Sequence, residues 1–255
     1  MAESPGNSVQ LELPSLPSHV LQSAHLEALC HHLSKMRFGI EKEGLRVDAK
    51  TGGLAQTPHP NALGSALTHP HITTDYSEAL LEFVTGTHNS PKAAINQLEQ
   101  LHIFASSVME GERIWPLSMP CLLPDSDADI PLAYYGESHI GRLKTVYRRG
   151  LGFRYGRQMQ TIAGVHFNLS FSDDFWLWRA ALDTNPDISD IRGIRDVGYF
   201  RTIRNFRRIQ WLIMLLTGSS PSIDKSFRLL ATDRFRVSGR TCLSEGATSL
   251  RMSDL

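Results

Sequence analysis

The stretch Phe38-Gly-Ile-Glu-Lys-Glu-Gly-Leu-Arg-Val47 constrains this chain more than any other. Glu41 and Glu43 stand two residues apart, and a strand sends alternate side chains to one face, so both carboxylates look the same way. The surrounding Gly39, Ile40, Leu45 and Val47 place that strand inside a folded body and not in a solvated acidic loop. Two like charges so close together cost several kcal/mol in a poorly hydrated site unless a proton or a metal ion intervenes. The plain alternative is an exposed strand face that carries two glutamates and a lysine.

Two further segments bear on that choice. In Ile72 to Thr85, Glu82 shares a strand face with Leu80 and Val84, and Asp75 precedes it at a bend. A glutamate inside Leu-Leu-Glu-Phe-Val is not where a surface charge usually sits. In Thr161 to Phe171 the alternation is clean. Val165, Phe167, Leu169 and Phe171 are expected to pack on a core, while His166, Asn168 and Ser170 form a polar face suited to the wall of a cavity. A single strand histidine is more often structural than a ligand. Acids at this density, without a Cys or His cluster, suit Mg²⁺ or Mn²⁺ and not zinc. Magnesium on protein carboxylates usually serves a phosphate substrate. No Gly-x-x-x-x-Gly-Lys-Ser/Thr occurs, which excludes a P-loop. The residues alone therefore point to a metal-dependent phosphoryl- or acyl-transfer enzyme on an antiparallel sheet.

The rest of the chain narrows the setting. A net charge of zero and a pI near 7.2 suggest no nucleic acid and no anionic membrane as partner. The polar N-terminus lacks a secretory signal, and the apolar run Ile209 to Leu216 is too short to span a bilayer. Three widely spaced cysteines, Cys30, Cys121 and Cys242, fit a reducing cytoplasm better than a disulfide frame. Residues 1–20 read as a flexible arm and 21–36 as an amphipathic helix. Ser90-Pro91 opens another helix. A long helix over 190–216 is expected to bury Tyr199, Phe200, Ile203, Phe206, Ile213 and Leu216 and to end at Gly218-Ser-Ser-Pro221. Arg148, Arg149, Arg154 and Arg157 form either a solvated helix face or an anion clamp.

Several motifs taken in order, from Gly39-Ile-Glu-Lys-Glu-Gly-Leu-Arg46 through Ala62-Leu-Gly-Ser-Ala-Leu-Thr-His69, Ile72-Thr-Thr-Asp75 and Glu78-Ala-Leu-Leu-Glu-Phe83, resemble the proteobacterial class of glutamate–cysteine ligase (gamma-glutamylcysteine synthetase). Trp115-Pro-Leu-Ser-Met-Pro-Cys121, Gly164-Val-His-Phe-Asn168, Tyr199-Phe-Arg-x-Ile-Arg-Asn205 and Ala247-Thr-Ser-Leu-Arg251 continue the resemblance. It implies an α+β fold: a curved, mainly antiparallel sheet forming a glutamine-synthetase-like funnel, with helices packed outside. Family chains run much longer, so the resemblance implies that the funnel is incomplete here, and that residues 21–255 are the N-terminal portion of a single catalytic domain. The implied reaction joins the γ-carboxylate of L-glutamate to the amine of L-cysteine with ATP, through a γ-glutamyl phosphate, as the first step of glutathione biosynthesis. By the same resemblance Glu41, Glu43, Asp75, Glu82 and His166 hold Mg²⁺ (or Mn²⁺). Tyr76, Tyr147, Arg148, Leu151, Gln160 and Ile162 line the cysteine side, and no side chain acts as a nucleophile. Glu245-Gly246 stands where the family often has an aromatic that helps bind cysteine. The competing expectations are a related carboxylate–amine ligase with another acceptor and a truncated, non-catalytic metal-binding remnant.

Overall fold

A computed structural model describes residues 23–183, 189–217, 222–227 and 235–244. The expected arm at 1–20, the helix stop at Gly218 to Pro221, the Glu245-Gly246 departure and the Ala247 to Arg251 motif lie outside the described residues. Helix α1 (Ser23–Leu33) leads into the twelve-residue strand β1 (Arg37–Asp48). Strands β2 (Ile72–Thr74) and β3 (Leu80–Val84), helix α2 (Pro91–Val108) and strand β4 (Glu112–Ile114) follow. Then come α3 (His139–Tyr155), β5 (Val165–Ser170), α4 (Asp173–Ala180) and α5 (Ile191–Thr217). Strands β6 (Ser222–Asp224), β7 (Phe235–Ser238) and β8 (Thr241–Ser244) form a separate antiparallel sheet in the order β6-β8-β7.

The first sheet is organised on β1, and every pairing in it is antiparallel. One edge of β1 pairs β3, which pairs β2. The other edge is shared: Arg37 to Lys42 pair β5, and Arg46 to Asp48 pair β4. Gly44 sits at the change of partner, where a Cβ would come 2.8 Å from Ile114 Cγ2, closer than side-chain carbons approach. The α+β expectation stands: helices accompany an antiparallel sheet, and no closed barrel forms among the described residues.

Alternation gives β1 two characters on one face. Leu45 and Val47 join Leu80, Leu54, Leu123 and Ile130 in the main apolar cluster, each full burial of such a side chain contributing about 1.5–3 kcal/mol. Two and four residues earlier on the same face stand Glu43 and Glu41. The opposite face presents Ile72, Leu81 and Phe83 to Ala105 of α2 and to Met109 just past its end. That helix starts where the sequence expects it. Ser90 Oγ accepts the Ala93 N–H at 3.2 Å, and Pro91 occupies the first turn, a cap that stabilises by about 1 kcal/mol.

Two expectations fail. Val165, Phe167 and Leu169 of β5 are exposed, because β5 pairs only β1 and no described element lies over its apolar face. The long helix forms over 191–217 but buries no residue. Phe200, Ile203, Phe206, Ile213 and Leu216 are all exposed, since α4 is the element packed against that helix. Both faces carry an apolar stripe in the sequence, but no described element covers either one.

Candidate active site

The register of the sheet assembles the acids. Glu43 lies opposite Glu82 across the β1–β3 pair, and Glu41 lies opposite His166 across β1–β5. Directly opposed residues share a face, so four predicted ligands from three strands look the same way. Asp75 follows β2 at a bend held by its own N–H to the Leu80 carbonyl at 2.9 Å. Its carboxylate acts electrostatically on both Glu43 and Glu82.

Each acid has a different set of partners. Asn168 Nδ2 donates to Glu41 Oε1 at 2.9 Å, and His166 Nδ1 is 3.2 Å from Glu41 Oε2. The Gly164 N–H donates to Glu43 Oε2 at 2.7 Å. A Cβ at Gly164 would sit 3.5 Å from both Glu43 Oε2 and His166 Nε2, so these two groups converge above that glycine. Glu82 has no hydrogen-bond or ion-pair partner among the described residues. Burial first, and then the charges of Asp75, Glu43 and Glu41, push its carboxyl up to about 7. Burial also raises the Glu43 carboxyl, opposed by the Gly164 N–H.

Among the described residues, Arg148 brings a cation to this face. Arg148 on α3 donates from Nε to the Asp75 carbonyl, and its outer nitrogen stands 3.9 Å from Asp75 Oδ1. The guanidinium lies 4.6 Å from the Tyr135 ring centroid, a cation–π contact. Four carboxylates against one guanidinium leave the face short of positive charge. Among the described residues no three acidic, His or Cys groups close into a ready metal cage, as expected where like charges repel without a counter-ion. The donor set fits a hard divalent cation: carboxylate oxygens and one imidazole.

The residues predicted to bind the acceptor divide. Tyr76 joins the main apolar cluster, and Leu151 and Ile162 pack half-buried against it. Tyr76 is 1% exposed and its hydroxyl has no partner among the described residues. A Cβ on Gly152 would run into that oxygen, so Tyr76 lies beneath α3 and not on the acidic face. Gln160 is half-buried, and Tyr147 is 62% exposed on α3. Cys121 is buried with its thiol pushed up to about 12 by desolvation, unsuited to act as a nucleophile. Sequence reasoning missed the Gly164 N–H and the amide of Asn168 as positioning groups for the acids. The polar alternation of β5 already carried the signal for Asn168.

Comparisons with known proteins agree with this architecture. A family model described as glutamate-cysteine ligase matches residues 21–255. A glutamate–cysteine ligase from Azotobacter vinelandii is 53% identical over 223 residues, covering 85% of this chain and 41% of the relative. One from Bordetella petrii is 51% identical over 238 residues, covering 91% and 42%. Among solved structures, a glutamate–cysteine ligase from Francisella tularensis in complex with AMP superposes with a TM-score of 0.77 at 41% identity. That match covers 87% of this chain and 43% of the other. A bifunctional glutathione synthetase from Pasteurella multocida gives 0.69 at 30% identity, covering 78% and 25%. The chain thus spans about two-fifths of the length of the curated relatives it matches. By family model, sequence identity and fold, it belongs to the glutamate–cysteine ligase family.

Proposed function

We propose that this chain is the metal-holding portion of an ATP- and Mg²⁺-dependent ligase that joins the L-glutamate γ-carboxylate to the L-cysteine amine through a γ-glutamyl phosphate. Glutathione biosynthesis in the cytoplasm is the setting this reading implies. The carrying observation is the convergence of Glu41, Glu43, Glu82 and His166 on one sheet face, with Asp75 acting on it from the bend. Glu41, Glu43, Asp75, Glu82 and His166 would hold the magnesium (or manganese). When bound, the ion would neutralise the triphosphate and the substrate carboxylate.

This chain's own residues supply positioning. Asn168 fixes one oxygen of Glu41, the Gly164 N–H fixes one of Glu43, and Arg148 ties Asp75 to α3. Held this way, the acids present oxygens without having to reorganise as charge shifts among phosphoryl oxygens. Tyr147, Arg148, Leu151, Gln160 and Ile162 are the proposed acceptor wall, with Tyr76 shaping it from beneath. No described side chain is asked to become a nucleophile. Residues 21–255 are then the N-terminal portion of a single catalytic domain.

A second reading, a metal-binding module without turnover, is favoured by the apolar side chains left uncovered on β5 and α5. Measuring ATP-dependent formation of γ-glutamylcysteine separates the two. We expect trace turnover at most from this chain alone, and loss of that trace in Glu41→Gln and Glu82→Gln. Robust product formation unchanged by either substitution would overturn the site. Offering 2-aminobutyrate in place of cysteine tests how strictly the acceptor is chosen.

A further inference from the structure

Glu41, Glu43, Glu82 and His166 stand within strands, where the hydrogen-bond ladder fixes their backbone. Asp75 does not: it lies one residue past the end of β2. Its backbone is held by other means. The Asp75 N–H donates to the Leu80 carbonyl at 2.9 Å. The Asp75 carbonyl accepts from two side chains, Arg148 through Nε and Tyr135 through its hydroxyl at 2.9 Å. The same hydroxyl reaches the Thr74 carbonyl at 2.6 Å. The Asp75 carboxylate, by contrast, accepts no hydrogen bond among the described residues, and the Arg148 guanidinium stands 3.9 Å from it.

Tyr135 is itself fixed from several sides. It lies in the loop before α3 and is 4% exposed. Ala66 and Ala133 pack with it in a small apolar cluster. The Arg148 guanidinium and Lys144 Nζ lie 4.6 and 4.9 Å from its ring centroid, both cation–π contacts. Gly141 in the first turn of α3 permits the close approach, since a Cβ there would run into the Tyr135 carbonyl oxygen. Burial pushes the phenol above its ordinary pKa, so the hydroxyl is a donor at neutral pH. A phenylalanine would fill the same space. What tyrosine adds is one oxygen, placed on the backbone of the bend that carries Asp75.

We propose that Tyr135 is a positioning residue of the acidic face: with Arg148 it clamps the Asp75 carbonyl, which aims the Asp75 carboxylate at a divalent cation and leaves its oxygens free to bind. The inference rests on the metal reading proposed above and deepens it.

Calorimetric titration with Mg²⁺ of the native chain, Tyr135→Phe, Asp75→Asn and the double variant tests it. Tyr135→Phe keeps the ring against Arg148, and its affinity should fall about three- to tenfold, the loss expected for one neutral hydrogen bond. Asp75→Asn should weaken binding further, and Tyr135→Phe should add nothing in that background. Thr145→Val removes a hydroxyl bonded to the Gly141 carbonyl at 3.1 Å, beside the same loop. It should leave the affinity unchanged, which separates positioning from a general loosening. Native affinity in folded Tyr135→Phe, an equal loss in Thr145→Val, or additive losses in the double variant would overturn the inference and leave the metal reading standing. A native chain that binds no Mg²⁺, or binds it equally well without the Asp75 carboxylate, would overturn both.

Discussion

The two faces of β1 carry charge in opposite ways. On one face Arg46 is fully buried, and its guanidinium is surrounded by acceptors. These are Glu112, Thr57 Oγ1 at 2.7 Å, and the carbonyls of Thr57, Pro58 and Glu78 at 2.7, 3.0 and 3.0 Å, leaving only Nε without a partner. The carboxylate of Glu78 in turn accepts the N–H groups of His59 and Tyr134, both at 2.5 Å. On the other face Glu82 has no such partner, and Glu43 has one backbone N–H. A buried charge that is paired and hydrogen-bonded holds the loops around it in place. Carboxylates gathered without compensation raise the energy of their face, which a cation would relieve. One network is therefore structural and the other is the proposed site, although both use the same side-chain chemistry around the same strand.

Removing a partner from each network should expose the contrast. Arg46→Met takes the guanidinium from Glu112, which keeps the Thr57 hydroxyl as its donor, and from the carbonyls of Thr57, Pro58 and Glu78, and should cost about 3–5 kcal/mol in urea unfolding. A loss below 1 kcal/mol would erase the distinction. Glu82→Gln should act in the opposite direction and more weakly, raising the melting temperature by a few degrees at most at neutral pH without divalent ions. The sign follows from linkage. The Glu82 carboxyl titrates at 4.5 ordinarily and at about 7 in the fold, so the folded state binds the extra proton and stability falls as pH rises through that window. Melting temperatures across pH 4.5 to 7 should flatten in Glu82→Gln, and an unchanged slope would contradict the assignment. The exposed pair Lys35–Asp174, at 3.4 Å, gives the baseline. Lys35→Ala should change stability by no more than about 0.5 kcal/mol.

Much of the site was legible because strand alternation has a period of two. Glu41 and Glu43 on one face, and His166 with Asn168 on another, follow from spacing alone. What spacing leaves open is which strands meet. The pairing of Glu43 with Glu82 and of Glu41 with His166 depends on long-range register; the density of acids grouped Glu41, Glu43, Asp75 and Glu82 beforehand, and only the resemblance added His166 to them. Helix α2 was readable from Ser90 and Pro91, whereas α3 was not, since its glycines and arginines weaken the apolar stripe. Arg46 was missed as a hub, although a charge set between Leu45 and Val47 gives the same signal that singled out Glu82. The apolar faces of β5 and α5 were patterned for burial, yet local pattern says nothing about whether a covering layer lies beside them. Tyr76 shows the same limit: its place in the chain next to Asp75 did not reveal that it turns inward.

The most direct measurement is calorimetric titration of this chain with Mg²⁺, alongside Glu43→Gln and Glu82→Gln. The account predicts saturable binding by the native chain that raises its melting temperature, by about 2.7 kcal/mol of stability at a hundredfold excess over the dissociation constant, and that both substitutions greatly weaken. Magnesium that neither binds nor stabilises the native chain, or that binds both variants equally well, would contradict it.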